Sequence, residues 1–191
     1  MRSHFFAYIS RMRYIPRWAL MRNSFSENVQ EHSHMVAVLA HALALIRSEV
    51  FGGNIDAGQV AVYALYHDAT EIITGDMPTP IKYYNPEIKQ SYRKVESVAA
   101  DKLISLLPGE LRASYRPILH GEDREMHRLV KAADKLSAHI KCLEELKAGN
   151  MEFKRAAEQT RAALGEMRLP ELDWFMEHCM ESFSMTLDEL E

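Results

Sequence analysis

Apolar residues recur every three or four positions along most of the chain, which is the spacing of amphipathic α-helices. Short alternating runs of Val, Ile and Thr, which predict strands, do not occur in the sequence. We therefore predict an all-α fold, a single-domain helical bundle of about eight helices over residues 1–191. The helices are predicted at residues 3–14, 28–50, 56–74, 86–107, 109–118, 123–148, 150–165 and 170–182.

Residues that cap or break helices support these boundaries. Asn28, followed three positions later by Glu31, predicts a capping box at the start of the second helix. Gly75 predicts a left-handed stop at the end of the third helix. Pro78 and Pro80 then predict an extended loop.

The first predicted helix has two interpretations. Phe5, Ile9 and Met12 form one apolar stripe, so we expect a surface helix packed on the body of the protein. The segment before Glu27 contains arginines and no acids, which is also typical of a transit peptide.

The composition is that of a folded globular protein, with 47% hydrophobic and 26% charged residues. The net charge of −4 argues against a nucleic-acid polymer as partner, because polyanion binders carry a basic face. No apolar run approaches the ~20 residues of a membrane span, so no membrane partner is expected. Cys142 and Cys179 are too few for a disulfide framework, which favours a cytoplasmic location.

Ionisable residues interrupt the apolar face of the third predicted helix. His67 and Asp68 are adjacent, and Glu71 follows one turn later on the same side. Burying such groups without partners is costly, and a divalent cation bound between them removes the cost.

The second predicted helix offers three histidines. His32 extends the apolar stripe that continues through Val36 and Leu39, so we predict that it points inward. His34 and His41 fall on other faces and are predicted to be partly exposed.

The sixth predicted helix supplies a further acid. Asp134 is the acid closest to its apolar stripe, although an ion pair with Lys131 or Lys135 explains Asp134 alone equally well. Glu144 and Glu145 lie in a charged last turn and are predicted to be solvated.

Together, His32, His67, Asp68 and Asp134 form a candidate metal site. Two imidazoles and two carboxylates suit Mn²⁺, Co²⁺, Fe²⁺ or Mg²⁺, and the lack of a thiolate disfavours structural zinc. Four protein ligands on an octahedral ion leave positions for a water and a substrate oxygen, which metal-assisted hydrolysis requires.

The segments around these residues resemble a known family. They are RWALMRN (17–23), ENVQEHS (27–33), YHDATEIITGDMPTPIKYYN (66–85), KAADKLSAHIKCLEELKAGN (131–150) and the terminal LDEL. The order H…HD…D resembles the HD-domain superfamily of metal-dependent phosphohydrolases. Over essentially the whole chain the segments are similar to the bacterial HD-domain 5′-deoxynucleotidases of the YfbR type, which implies an HD-type helical bundle.

The resemblance implies hydrolysis of deoxyribonucleoside 5′-monophosphates, discrimination against ribonucleotides, one divalent metal ion (Co²⁺, Mn²⁺ or Mg²⁺) and a homodimer. It implies metal ligands at His32, His67, Asp68 and Asp134, and catalytic roles for Glu71 and Arg17. Substrate contacts are implied at Arg17, Trp18, His32, Asp68, Asp76, Met77, Pro78, Thr79 and Asp134.

Plainer interpretations exist for three of these residues. Without the resemblance, Arg17 is an exposed arginine, Trp18 a core aromatic and Asp76 the local cap of a turn. Other functions also fit the pattern: an HD phosphohydrolase of cyclic nucleotides or nucleotide polyphosphates, a non-catalytic metal-dependent nucleotide sensor, or a helical adaptor with structural His and Asp residues.

Overall fold

In a computed structural model, which describes residues 2–82 and 84–190 apart from the side chains of Thr79 and Pro80, the chain folds into α-helices. Within those ranges the only β feature is an isolated bridge between Pro16 and Asn28, so the all-α prediction is confirmed. The helices are α1 (Phe5–Ile9), α2 (Val29–Leu45), α3 (Ala57–Tyr66), α4 (Glu71–Thr74), α5 (Thr79–Lys82), α6 (Pro86–Ser105), α7 (Gly109–His120), α8 (Arg124–Lys147), α9 (Lys154–Glu166) and α10 (Pro170–His178).

Short turns of other helix types extend several of these elements. A π turn continues α2, and 3₁₀ turns follow α1, precede α9 and follow α10. They span Ser10–Tyr14, Ile46–Val50, Met151–Phe153, Glu181–Ser184 and Leu187–Glu189.

Helix α2 is the centre of the core and packs mainly against α3 and α8. Nine of its 17 residues are buried, and they are apolar except for His32 and Ser33. With its π turn, the segment Val29–Val50 is long and apolar enough by length and composition to cross a membrane. In this fold, the apolar face of α2 packs against α3 and α8 in the hydrophobic core.

The predicted start of α2 and the predicted packing of the first helix are both confirmed. The Asn28 side chain accepts hydrogen bonds from the amides of Gln30 and Glu31, each at 3.0 Å, and the Glu31 carboxylate accepts one from the Asn28 amide at 3.0 Å. Phe5 and Met12 are buried against the body, as the apolar stripe indicates.

The prediction of one continuous helix over residues 56–74 is wrong. Helix α3 ends at Tyr66, and residues 67–70 form a turn before α4. The turn is closed by tight bonds over three residues, from the Ala69 amide to the Tyr66 carbonyl and from the Glu71 amide to the Asp68 carbonyl, both at 3.0 Å. These bonds replace the regular α-helical hydrogen bonds at the position of His67 and Asp68.

Gly75 ends α4 with a positive φ of 72°, as predicted, but its ψ of 163° is extended rather than left-handed helical. That combination is essentially restricted to glycine: the space around Gly75 is open, but a Cβ would clash with the residue's own backbone at these dihedral angles. The predicted extended loop is wrong from residue 79 onward. The Pro78 carbonyl accepts bonds from the Ile81 and Lys82 amides at 2.9 and 3.1 Å and begins α5, whose first turn tolerates Pro80 because the missing amide has no partner there.

Candidate active site

Four ionisable side chains from three elements meet where α2, the turn after α3, and α8 pack together. Nε2 of His32 lies 3.1 Å from Oδ1 of Asp134 and 3.7 Å from Oδ2 of Asp68. Nε2 of His67 lies 3.1 Å from the same Asp68 oxygen. The ligand atoms of His32, His67 and Asp68 all fall within 4.8 Å of one another.

Hydrogen bonds on the far side of each imidazole orient its Nε2 toward the cluster. Nδ1 of His67 is 2.7 Å from the Ala64 carbonyl, and since a carbonyl only accepts, Nδ1 carries the hydrogen. Nδ1 of His32 is 3.1 Å from the Ser137 hydroxyl, which can donate to it, while Nε2 faces the Asp134 carboxylate at 3.1 Å and carries the hydrogen. The Nε2 lone pair of His67 is thus available to a metal ion, and His32 offers its own when a cation replaces that hydrogen.

Two buried polar atoms at the cluster indicate that these residues fit a cation. Nε2 of His67 and Oε2 of Glu71 are buried without a hydrogen-bond partner among the described residues. Unpaired buried polar atoms are rare in folded proteins because they carry the full cost of desolvation. A donor set of two imidazole nitrogens and two carboxylates matches the preference of divalent ions such as Mn²⁺ and Co²⁺. The cluster can therefore bind a divalent metal ion.

The charges of the cluster are set by burial and by the neighbouring groups. Burial lowers the pKa of His32, and the positive charge of Arg17 adds to this effect, which favours the neutral imidazole. Burial alone raises the pKa of Asp68, but His67 and His32 outweigh it and lower that pKa to about 2. The Asp134 pKa is also lowered, because a hydrogen bond from His32 outweighs burial. Neutral imidazole and ionised carboxylate are the forms that bind metals.

His67 differs from His32 in the direction of its pKa shift. Burial works to lower the His67 pKa, but the carboxylates of Asp68 and Asp134 outweigh it and raise the value. Without a metal ion, the two carboxylates therefore favour a protonated, positively charged His67. A bound cation would supply that positive charge in place of the proton.

Glu71, the first residue of α4, is a buried carboxyl group with the opposite behaviour to Asp68. Only 7% of the surface of Glu71 is exposed to solvent. This burial, together with the negative charges of Asp68 and Asp76, raises the pKa of Glu71 to about 9. The site thus holds one carboxyl group that favours the protonated form and two that are ionised. Such a split is typical of acid–base pairs in hydrolases.

Arg17 is not the exposed arginine of the plainer interpretation. Its side chain is 11% exposed, with Nε 3.1 Å from Oε2 of Glu27 and Nη1 3.5 Å from Oδ2 of Asp68. Burial opposes its charge, but the carboxylates of Asp68 and Asp134 raise the Arg17 pKa, so the guanidinium remains charged beside the cluster.

Trp18 packs as the core interpretation predicts. Its ring centroid lies 5.3 Å from that of Phe153, in a cluster with Cys142 and Ala157, and its backbone takes a φ of +56°. The indole Nε1 is buried without a partner among the described residues. Although the two residues are adjacent, the Arg17 side chain contacts the ionisable cluster and the Trp18 side chain packs against apolar residues.

Residues 76–78 follow the glycine stop and are half-buried. Burial raises the pKa of Asp76, and Arg17 opposes the shift, which places Asp76 within the electrostatic reach of the cluster. Met77 and Pro78 lie on the same short connection to α5, and the side chain of Thr79 lies outside the described part of the chain.

Several expectations about individual residues can now be compared with the structure. His34, His41 and Glu144 are exposed, as predicted. Asp134 bonds His32 rather than Lys131 or Lys135. Glu145 contradicts its prediction, because it is fully buried and pairs with Lys141 at 2.5 Å. The i,i+4 spacing of Lys141 and Glu145 is the sequence signal for that pair.

A cavity of about 520 Å³ opens from the cluster between α6, α7 and α8. His67, Asp68 and Asp134 line one end of it. The remaining lining includes residues that the sequence analysis did not predict as site residues, namely Tyr63, Lys82, Lys89, Tyr92, Arg93, His127 and Lys131. Arg17, Trp18 and Asp76 are not among the described residues that line it, so they approach the cluster outside this cavity.

Comparisons with known proteins show the family to which the chain belongs. The family model of the YfbR-like 5′-deoxynucleotidases matches residues 4–183. A 5′-deoxynucleotidase of Vibrio vulnificus (strain YJ016) is 50% identical over 190 residues, which cover 98% of this chain and 98% of that protein. A 5′-deoxynucleotidase of Yersinia pestis (strain Pestoides F) is 52% identical over 190 residues, covering 98% of this chain and 96% of the relative.

Solved structures share the fold. An HD-domain phosphohydrolase of Listeria innocua superposes with a TM-score of 0.83 at 24% identity, covering 94% of this chain and 88% of the other. An HD phosphohydrolase of cyanophage S-2L, bound to dA and one catalytic Zn²⁺ ion, gives a TM-score of 0.65 at 21% identity, covering 94% and 96%. The family resemblance of the sequence motifs is confirmed: the chain belongs to the YfbR-like 5′-deoxynucleotidases and is a hydrolase with the HD-domain fold.

Proposed function

We propose that this 5′-deoxynucleotidase hydrolyses deoxyribonucleoside 5′-monophosphates to deoxynucleoside and phosphate at the cluster of His32, His67, Asp68 and Asp134. The observation that carries the assignment is the meeting of two imidazole nitrogens and two carboxylates at 3.1–3.7 Å. Family membership supports the reaction, and the cluster supports its location.

The four residues of the cluster would together hold one divalent ion, with Co²⁺, Mn²⁺ or Mg²⁺ as the candidates. When bound, such an ion supplies an acidified water and a Lewis acid for the phosphoryl group. The cyanophage relative carries Zn²⁺, so zinc belongs in the same panel of metals.

Arg17 is proposed to hold phosphoryl oxygens of the substrate. Its guanidinium is permanently charged and planar, and it can present two parallel N–H donors to a phosphate. Glu27 binds Nε at 3.1 Å and so fixes the plane of the group. Nη1 reaches Asp68 only at 3.5 Å, a weak bond that a phosphate oxygen can replace.

Glu71 is proposed as the proton-transfer group. It is buried beside Asp68, it is not counted as a ligand, and its Oε2 has no partner among the described residues. A carboxyl group with a raised pKa can give a proton to the departing O5′, and its ionised form can take one from water. No residue is proposed as a covalent nucleophile.

Selection of deoxyribose over ribose is proposed to come from contacts outside the cavity. Asp76 can accept a hydrogen bond from the 3′-hydroxyl, and a close fit leaves a 2′-hydroxyl clashing or unpaired. The names of the relatives support this preference, as does the dA bound by the cyanophage protein. Further substrate contacts are proposed at Trp18, Met77, Pro78 and Thr79.

We propose that the chain forms one domain, acts as a homodimer and is cytoplasmic. The outer face of α2 leaves Val38 and Leu45 about half exposed, seven residues apart on one side, and a second subunit would cover them. Cys142 and Cys179 are both free, which suits a reducing compartment. Light scattering during gel filtration tests the dimer.

The function is tested by measuring phosphate release from matched deoxyribonucleoside and ribonucleoside 5′-monophosphates with Co²⁺, Mn²⁺, Mg²⁺ and Zn²⁺. We expect metal-dependent release from the deoxy substrates and little from the ribo ones. Equal rates on both would remove the proposed sugar selection. Release only from cyclic nucleotides or polyphosphates would favour the other HD chemistries, and binding without turnover would favour a sensor.

A further inference from the structure

The cavity beside the cluster has two chemically different ends. His67, Asp68 and Asp134 form the end proposed to hold the metal. Away from it, the lining becomes basic, with Lys82, Lys89, Arg93, His127 and Lys131 facing the same space. The proposed reaction assigns no role to this basic end.

Apart from Lys82, which ends α5, the basic residues come from two helices that line the same cavity, α6 and α8. On α6, Lys89 and Arg93 are four residues apart, which puts them on one face. On α8, His127, Lys131 and Asp134 follow at intervals of four and three, so they also form one face. Lys131 is thus one turn from the Asp134 carboxylate of the cluster. The basic wall, defined as Lys89, Arg93, His127 and Lys131, therefore lies directly beside the proposed metal site.

The basic residues differ in their ionic contacts. Lys82 is paired with Glu96 at 2.8 Å, whereas Arg93 and Lys131, both solvent-exposed at the mouth of the cavity, make no salt bridge within 4 Å to any described residue. The cations also repel each other. Burial lowers the pKa of Lys131, and Arg93 contributes further to the lowering.

His127 experiences the same field. Burial lowers its pKa first, and the positive charges of Lys131, His67 and Arg93 lower it further. Like charges that line one cavity repel each other, and an anion that enters between them relieves this repulsion.

We propose that Arg93 and Lys131 form a binding site for a phosphoryl anion, next to the metal cluster and distinct from Arg17. The proposal rests on the proposed function in that the reaction releases such an anion into this space. The anion is either the orthophosphate that leaves the site or a second phosphate group of a larger nucleotide. Arg93 offers a planar fork of donors and Lys131 a compact charge, both of which suit phosphate.

The test compares wild type with the double variant Arg93→Met, Lys131→Met and with the control Lys94→Met. Lys94 is exposed on α6 beside Arg93 but does not line the cavity, so its loss removes a similar charge from the same helix. Isothermal titration of orthophosphate into the metal-loaded protein measures binding without turnover. We expect the dissociation constant to rise about 10-fold or more in the double variant and to stay unchanged in the control.

Inhibition by pyrophosphate and by a deoxynucleoside 5′-diphosphate distinguishes the two sources of the anion. If the wall binds a second phosphate group, the diphosphate competes better than the monophosphate in wild type, and this advantage disappears in the double variant. If Arg93 and Lys131 bind only released phosphate, the double variant binds orthophosphate more weakly, but the relative inhibition by diphosphate and monophosphate stays as in wild type. Unchanged orthophosphate affinity in a double variant that melts like wild type overturns the proposal.

This outcome is separable from a failure of the proposed function. A wild-type protein that binds orthophosphate at this wall but releases none from any deoxyribonucleoside monophosphate would contradict the proposed reaction alone. Normal turnover with no effect of the double variant on phosphate binding would contradict the wall alone.

Discussion

Lys141 and Glu145, one turn apart on α8, form an ion pair of 2.5 Å in which both side chains are buried. Glu145 also accepts hydrogen bonds from the Ser24 amide at 2.9 Å and the Asn150 side chain at 2.8 Å. The Lys141 ammonium donates to the Phe25 carbonyl at 2.7 Å. The pair therefore ties the segment that follows Arg17 and Trp18 to the helix that carries Asp134.

We predict that Glu145→Gln destabilises the protein strongly. The substitution leaves the Lys141 ammonium buried without its counter-charge, which typically costs about 3–5 kcal/mol. The free energy of unfolding in urea measures the loss. Glu144→Gln is the matched control, because Glu144 is the exposed neighbour on the same helix and should change stability by less than about 0.5 kcal/mol. Equal small losses in both variants would contradict the structural role of the pair.

The same carboxylate predicts a loss of stability in acid. Burial works to raise the Glu145 pKa, but hydrogen bonds from Lys141, Asn150 and Ser24 outweigh it and lower the pKa from 4.5 to about 2. As the pH falls, Glu145 is therefore protonated in the unfolded chain before it is protonated in the folded protein. Its contribution to the free energy of unfolding is complete above about pH 4.5 and is lost as the pH falls toward 2. Melting curves between pH 2 and 6 should show a shallower slope for Glu145→Gln than for wild type. Glu144→Gln should not make the slope shallower, because burial raises the Glu144 pKa instead of lowering it.

The burial of Glu145 also shows why part of this site could not be predicted from sequence. His32 was predictable because an apolar stripe of α2 surrounds it, and periodicity alone shows that it points inward. Glu145 and Arg17 are charged residues in polar stretches of the sequence. The i,i+4 spacing indicates Lys141 as a partner of Glu145, but the contacts of Glu145 with Ser24 and of Arg17 with Asp68 join segments that are distant in the chain. Burial of this kind depends on tertiary contacts, which local spacing does not encode. The break between α3 and α4 is similar, since the turn at residues 67–70 breaks an apolar pattern that continues through it.

Asp134→Ala is predicted to abolish metal binding. Asp134 is the cluster's carboxylate from α8, and its Oδ1 lies 3.1 Å from Nε2 of His32, so its removal takes away one of four proposed ligands. Elemental analysis after dialysis should give close to one metal ion per chain for wild type and close to none for the variant. Asp101→Ala serves as control, because Asp101 is an exposed acid that pairs with Arg116. Unchanged metal content in the Asp134 variant would exclude it as a ligand.

Glu71→Gln is predicted to separate binding from turnover. Glutamine keeps the size of the side chain but cannot exchange a proton, so metal content and nucleotide affinity should be retained while kcat falls by about 10²–10⁴-fold. Metal analysis, equilibrium binding and steady-state kinetics on one preparation measure the three quantities. A near-normal kcat would remove the proton-transfer role, and a loss of metal would make Glu71 a ligand instead.

Arg17 provides the test of how the phosphate is held. Arg17→Ala should lower kcat/KM by about 10²–10³-fold, since it removes a charged donor aimed at the reacting group. Because Glu27 and Asp68 would also lose their partner, Arg17→Lys is the informative comparison: it keeps the charge but not the planar pair of donors. If bidentate contact with phosphate matters, the lysine variant recovers the melting temperature but only a small part of kcat/KM. If Arg17 acts only by neutralising the buried carboxylates, lysine restores both, and the guanidinium is a structural counter-charge rather than a ligand of the substrate.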